Sequence, residues 1–117
     1  MYTIRKEFAF SAAHHLRDLP ADHPCAEPHG HNYVVTVELK SDKLNEVGFV
    51  KDYRELQLIK NWLDLNFDHK DLNKMIGINP TAENIAKLLY DTFYITYPML
   101  VAIEVSETPK TSARYER

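Results

Sequence analysis

The chain has 117 residues, enough to bury a core without disulfide or metal staples, and its length points to a single domain, 1–117. Apolar residues make up 44% and charged residues 26%, which excludes a disordered or fibrous class. A formal net charge of −3 gives no general pull on nucleic acid or anionic membrane.

The first segment alternates. Tyr2, Ile4, Phe8 and Phe10 share one parity, and Thr3, Arg5, Glu7 and Ser11 the other, which predicts a strand with one buried face. Lys6 interrupts the apolar row. Residues 16–30 hold Pro20, Pro24, Pro28 and Gly30 and read as a loop carrying Cys25. "HNYVVTVELK" resumes as a strand from about His31 to Lys40, with Tyr33, Val35, Val37 and Leu39 on one face. After a polar connection, Leu56, Ile59, Trp62 and Leu63 recur at helical spacing over about 53–65. "FDHKDLNKMIGINP" reads as a long connection. A second helix opens at "NPTAENIAKLLYDTF", with Thr81 as its N-cap and Glu83 in its first turn. Beyond Pro98, "MLVAIEVSET" predicts a strand, and "TSARYE" a short partner for it. The order is ββααββ. It predicts an α+β fold in which two helices cover one face of a four-stranded antiparallel sheet.

Cys25 is the only cysteine, so no intrachain disulfide can form, and a lone thiol fits a reducing compartment. No apolar run approaches the roughly 18 residues of a membrane span, and "MYTIRKEF" lacks the apolar stretch of a signal peptide. The expectation is a cytoplasmic protein with neither membrane nor nucleic-acid partner.

The histidines carry the chemical signal. His29 and His31 are two apart at the start of a strand, so both rings point to one side. His14, at the far end of the first strand, can lie beside them. Three neutral imidazoles with an open fourth position describe a catalytic zinc site. His15 and His23 read as ordinary surface or satisfied residues. Cys25 is either a small apolar filler or, near a metal or cationic histidine, a reactive thiolate.

"FSAAHHL", "CAEPHGHNY", "GFVKDY", "FDHKDLN", "NPTAENIA" and "VSETP" occur in an order that resembles the 6-pyruvoyl-tetrahydropterin synthase family, over nearly the whole chain. The resemblance implies zinc ligands at His14, His29 and His31. It implies a catalytic cysteine at Cys25, a catalytic Asp68–His69 pair, a pterin anchor at Glu107 and a ring neighbour at Thr81. It further implies the tunnelling fold (T-fold), with three subunits closing a β-barrel and two trimers stacking into a homohexamer. The activity it implies is that of the family's queuosine branch. There 7,8-dihydroneopterin triphosphate becomes 6-carboxytetrahydropterin, acetaldehyde and triphosphate. Elimination of triphosphate to a pyruvoyl product is the alternative, and a non-catalytic zinc- or pterin-binding module a third reading. Between Cys25 and His29 the chain reads "AEP" where many relatives have "GRL", which puts the charge of Glu27 beside the expected site.

Overall fold

A computed structural model describes residues 1–117. The alternating segments form two long strands, β1 (Tyr2–His14) and β2 (His29–Ser41). They pair antiparallel with no register slip from Tyr2↔Ser41 to His14↔His29. One parity of both strands is therefore a single surface. Phe8, Phe10, Tyr33, Val35, Val37 and Leu39 are buried on it. Strand β2 begins two residues earlier than its apolar pattern announces, because His29 and Gly30 still pair with His14 and Ala13.

Strand β2 pairs on its other side with β4 (Leu100–Thr108), and β4 with β5 (Thr111–Glu116), both antiparallel. Two helices, α1 (Gln57–Asn66) and α3 (Ala82–Phe93), cover the apolar face. Their buried Ile59, Leu63, Ile85 and Leu89 join the sheet residues in one core cluster. Truncating any of these to alanine costs about 2–5 kcal/mol. Asp52 opens the 3₁₀ turn ahead of α1 by accepting from Arg54 N at 2.9 Å. Thr81 caps α3 by accepting from Asn84 N at 3.1 Å.

The sheet departs from the expected four antiparallel strands. It has five, in the order β3-β1-β2-β4-β5, and is mixed. The added β3 is only Lys70–Asp71, parallel to β1 through Ala12 and Ala13. The expected long connection also contains a one-turn helix α2 (Leu72–Met75), opened by Asp71 accepting from Asn73 N at 3.0 Å. No helix is long and apolar enough to cross a membrane.

The opposite face of the sheet is polar but not loose. Glu38 sits on it, 6% exposed, where an apolar strand runs through the middle of the sheet. It accepts two bonds from Arg114, at 2.7 and 3.1 Å, and one from Arg5 at 3.2 Å. One carboxylate thus ties β1, β2 and β5 together. The Arg114 bonds hold the Glu38 carboxyl below the usual carboxylate range.

Candidate functional site

His14 and His29 face each other at the last pair of the β1–β2 ladder, and His31 follows two residues later on the same face. Their ligand atoms lie within 4.8 Å of one another. His14 is 1% exposed and its neighbours are partly buried. Backbone carbonyls set two of the three rings. His14 Nδ1 is 2.7 Å from Pro80 O, and His29 Nδ1 is 2.8 Å from Glu27 O. A carbonyl oxygen can only accept, so both Nδ1 atoms carry protons and donate. In each neutral ring the Nε2 lone pair is left free.

Those two Nε2 atoms lie 3.0 Å apart. Two lone pairs so close repel unless a positive centre sits between them. Two nitrogens bound tetrahedrally to one zinc at about 2.05 Å lie about 3.3 Å apart, so a small shift admits such an ion. The fixed tautomers, the convergence and the all-imidazole donor set fit a divalent transition metal. Burial pushes the His14 imidazole below its ordinary range, and the adjacent His29 and His31 rings add to the effect. A neutral ring is the form that binds metal.

Around the triad lie two further groups. Glu107, on the β4 face that also carries Ile103 and Val105, places Oε2 3.6 Å from His31 Nε2. Tyr33 stacks on Phe10 at 4.8 Å and meets His14 and His31 edge-on at 5.8 and 5.5 Å. Its hydroxyl is buried and has no hydrogen-bond partner. Burial, and then the charge of Glu107, raise its pKa. Its place in the alternation of β2 marks Tyr33 only as core.

Cys25 is half-buried in a 3₁₀ turn, Pro24–Ala26, and is not among the converging ligands. Its carbonyl accepts from Leu16 N at 2.8 Å, which ties the turn back to the end of β1. The loop is anchored from the other side as well. Asn73 Oδ1 takes His15 N at 2.8 Å, and Asn79 Oδ1 takes Arg17 N at 2.9 Å. The block "NPTAEN" thus has a structural role at each of four positions. Asn79 holds the loop, the Pro80 carbonyl orients His14, Thr81 caps α3, and Asn84 Nδ2 returns to Asn79 O at 2.9 Å. The Thr81 hydroxyl is committed to its cap.

Asp68 and His69 do pair, at 2.8 Å between Oδ2 and Nδ1. Neighbouring residues can meet this way because His69 leaves the regular backbone, at φ 59°. That left-handed conformation costs an ordinary residue about 1 kcal/mol. It is fixed by His69 N donating to Ser11 O at 2.6 Å and by Ser11 N donating to Asp68 Oδ1 at 2.9 Å. The Ser11 amide, and next the His69 ring, hold the Asp68 carboxyl below its usual range. The His69 ring is 83% exposed. It lines an open cleft of about 570 Å³ with Ser11, Asn32, Lys70 and Asp71. His31 of the triad lines that cleft as well, whereas His14 and His29 do not. A single chain therefore holds two groupings, the imidazole triad and the Asp–His pair, and His31 belongs to the first while bordering the cleft of the second.

The family model for 6-pyruvoyl tetrahydropterin synthase matches residues 3–117. The chain is 36% identical over 126 residues to a Synechocystis protein named 6-carboxy-5,6,7,8-tetrahydropterin synthase, covering 98% of this chain and 93% of that one. It is 29% identical over 127 residues to the Bacillus subtilis protein of the same name, covering 97% and 84%. The structure of Caenorhabditis elegans 6-pyruvoyl tetrahydropterin synthase superposes with a TM-score of 0.87 at 26% identity, covering 99% and 95%.

Proposed function

The chain belongs to the 6-pyruvoyl tetrahydropterin synthase family of pterin-processing enzymes, and from that premise we propose that it is a zinc-dependent 6-carboxytetrahydropterin synthase. In this reading it is a cytoplasmic lyase of queuosine biosynthesis. It converts 7,8-dihydroneopterin triphosphate and one water to 6-carboxytetrahydropterin, acetaldehyde and triphosphate. The names of the Synechocystis and Bacillus subtilis relatives favour the carboxy product. The observation that carries the metal requirement is the pair of Nε2 lone pairs facing each other at 3.0 Å.

His14, His29 and His31 would hold the zinc, which when bound supplies Lewis acidity toward the hydroxyls of the substrate side chain. Cys25, as thiolate, would move protons at the side-chain carbons. His69, with Nδ1 protonated toward Asp68, keeps a free Nε2 and would serve as the second acid–base group. Glu107 would accept two parallel bonds from the 2-amino-pyrimidinone edge of the pterin. Thr81 would act through the start of α3 rather than through its hydroxyl.

The exposure of His69, in an open cleft that His14 and His29 do not line, supports an assembly in which the Asp–His pair of one copy completes the site of the next. A homohexamer of two barrel-forming trimers does this and removes the free edges of the sheet. The C. elegans structure favours a second reading, elimination of triphosphate to a pyruvoyl product on the same residues.

Metal content and turnover separate the roles. Cys25→Ala should keep stoichiometric zinc and lose turnover, and His29→Ala should lose both. Loss of zinc from Cys25→Ala would make the cysteine a ligand and overturn the assignment. Full turnover by either variant would overturn its catalytic or metal role.

A further inference from the structure

From the sequence His23 reads as an ordinary surface or satisfied residue. In the fold it makes a specific contact: its Nδ1 lies 3.0 Å from the backbone nitrogen of Cys25. We propose that His23 is the positioning residue of Cys25, holding the cysteine's turn by capping it with a neutral imidazole. This rests on the reading of Cys25 as the catalytic thiol.

The geometry forces the tautomer. A backbone N–H only donates, so His23 Nδ1 is the acceptor and the ring proton sits on Nε2. The backbone of His23 is extended, φ −70° and ψ 132°, the usual conformation of a residue that caps the turn following it. The same residue closes this turn once more and the preceding one as well. Its carbonyl accepts from Ala26 N at 3.0 Å, and its amide donates to Pro20 O at 2.9 Å. Pro24, the first residue of the turn, has no amide to satisfy, so the first free donor is that of Cys25 itself. The cap therefore falls on the functional residue.

Few other contacts compete for this job. Cys25 O holds Leu16 N, which anchors the turn at one point only. The far end closes weakly, with Glu27 N 3.4 Å from Pro24 O. Glu27 O in turn orients His29 at 2.8 Å. One three-residue turn thus links the cysteine to a metal-binding ring, and His23 fixes where it starts.

Asparagine tests the idea, because its Oδ1 is attached to Cγ as Nδ1 is in histidine. His23→Asn keeps an acceptor at the same place but has no ring nitrogen that can carry a proton to substrate. His23→Ala removes the acceptor. Cys25 is the only thiol, so its alkylation by iodoacetamide reads the turn directly, without turnover. Loss of a cap is a severalfold change in the population of the closed turn. His23→Ala should therefore alkylate about three- to tenfold faster than wild type. Its kcat should fall less, about two- to threefold, because open and closed turns share one equilibrium shift, with KM unchanged and zinc retained after desalting. His23→Asn should return both to within about twofold of wild type.

Equal losses in the Asn and Ala variants would overturn the proposal, since His23 would then act through its own proton. Wild-type alkylation and kcat in His23→Ala would also overturn it. If Cys25→Ala keeps turnover while the alkylation pattern holds, the catalytic reading of Cys25 has failed and the capping role of His23 has not.

Discussion

Replacing Asp68 by asparagine probes the proposed acid–base pair with little change of shape. Oδ1 of Asp68 accepts from Ser11 N at 2.9 Å, and Oδ2 pairs with His69 Nδ1 at 2.8 Å. Asparagine keeps the first acceptor and turns the second into an NH₂ donor. Facing a donor, His69 must present its Nδ1 lone pair and move its proton to Nε2. The ring then has no lone pair toward substrate and cannot act as a base. A positioned acid–base group contributes about 10²- to 10⁴-fold, and losing the correct tautomer forfeits the upper part of that range. Turnover by Asp68→Asn should therefore fall at least 100-fold, with substrate affinity near wild type. The Ser11 bond survives, so the melting temperature should stay unchanged. Asp68→Ala should lose activity and melt lower, because the Ser11 amide is left without its acceptor. The assay is stopped-flow or discontinuous turnover on zinc-loaded protein beside a thermal melt. Wild-type turnover by Asp68→Asn would refute the relay and leave the pair a device for fixing the 68–71 backbone.

Other expectations follow from the same contacts. Glu38→Gln should lose about 2 kcal/mol of stability, since it weakens a buried carboxylate's bonds to two arginines that remain partly in water. Because the Glu38 carboxyl is held low, its contribution is complete above the ordinary glutamate range and fades as pH falls through the lowered value. Denaturant titrations from pH 7 to pH 3 should show a shallower acid decline in Glu38→Gln; an identical decline would remove Glu38 as its cause. Thr81→Ala should cost about 1 kcal/mol, read as a lower melting temperature, through loss of the α3 cap. Thr81→Ser should restore it, and failure to do so would assign the loss to the methyl group. Tyr33→Phe should leave the ligand-free protein as stable as wild type or about 1 kcal/mol more so, because the hydroxyl it removes is buried without a partner. A clear loss of stability would mean that the hydroxyl is satisfied in solution.

What the sequence disclosed is what has a period. Phe8, Phe10, Tyr33 and Val35 alternate, and one unslipped ladder turned that alternation into a face. His29 and His31 belong to that alternation, which is why their convergence could be read before the fold was seen. Strand β3 has two residues and helix α2 one turn, too short for any periodicity, and β3 exists because Ala12 and Ala13 offer it a free edge. Backbone atoms leave no mark in composition, so the carbonyls of Pro80 and Glu27 that orient two rings were invisible. Glu38 was a missed signal. A carboxylate inside "VVTVELK" is costly unless paired, and its partners were Arg5 and Arg114, on strands remote in sequence. The Asp68–His69 contact needed an irregular backbone, which the left-handed φ of His69 supplies. That His31 alone of the triad borders the cleft of that pair is a property only coordinates disclose.

The most direct test of the account is product analysis. Zinc-loaded protein is incubated with 7,8-dihydroneopterin triphosphate, the pterins are followed by mass spectrometry, and acetaldehyde is assayed in parallel. The expected result is a carboxylated tetrahydropterin with one acetaldehyde for each product molecule. A pyruvoyl product without acetaldehyde would contradict the carbon–carbon cleavage, and no conversion by zinc-loaded protein would contradict the catalytic reading of the whole site.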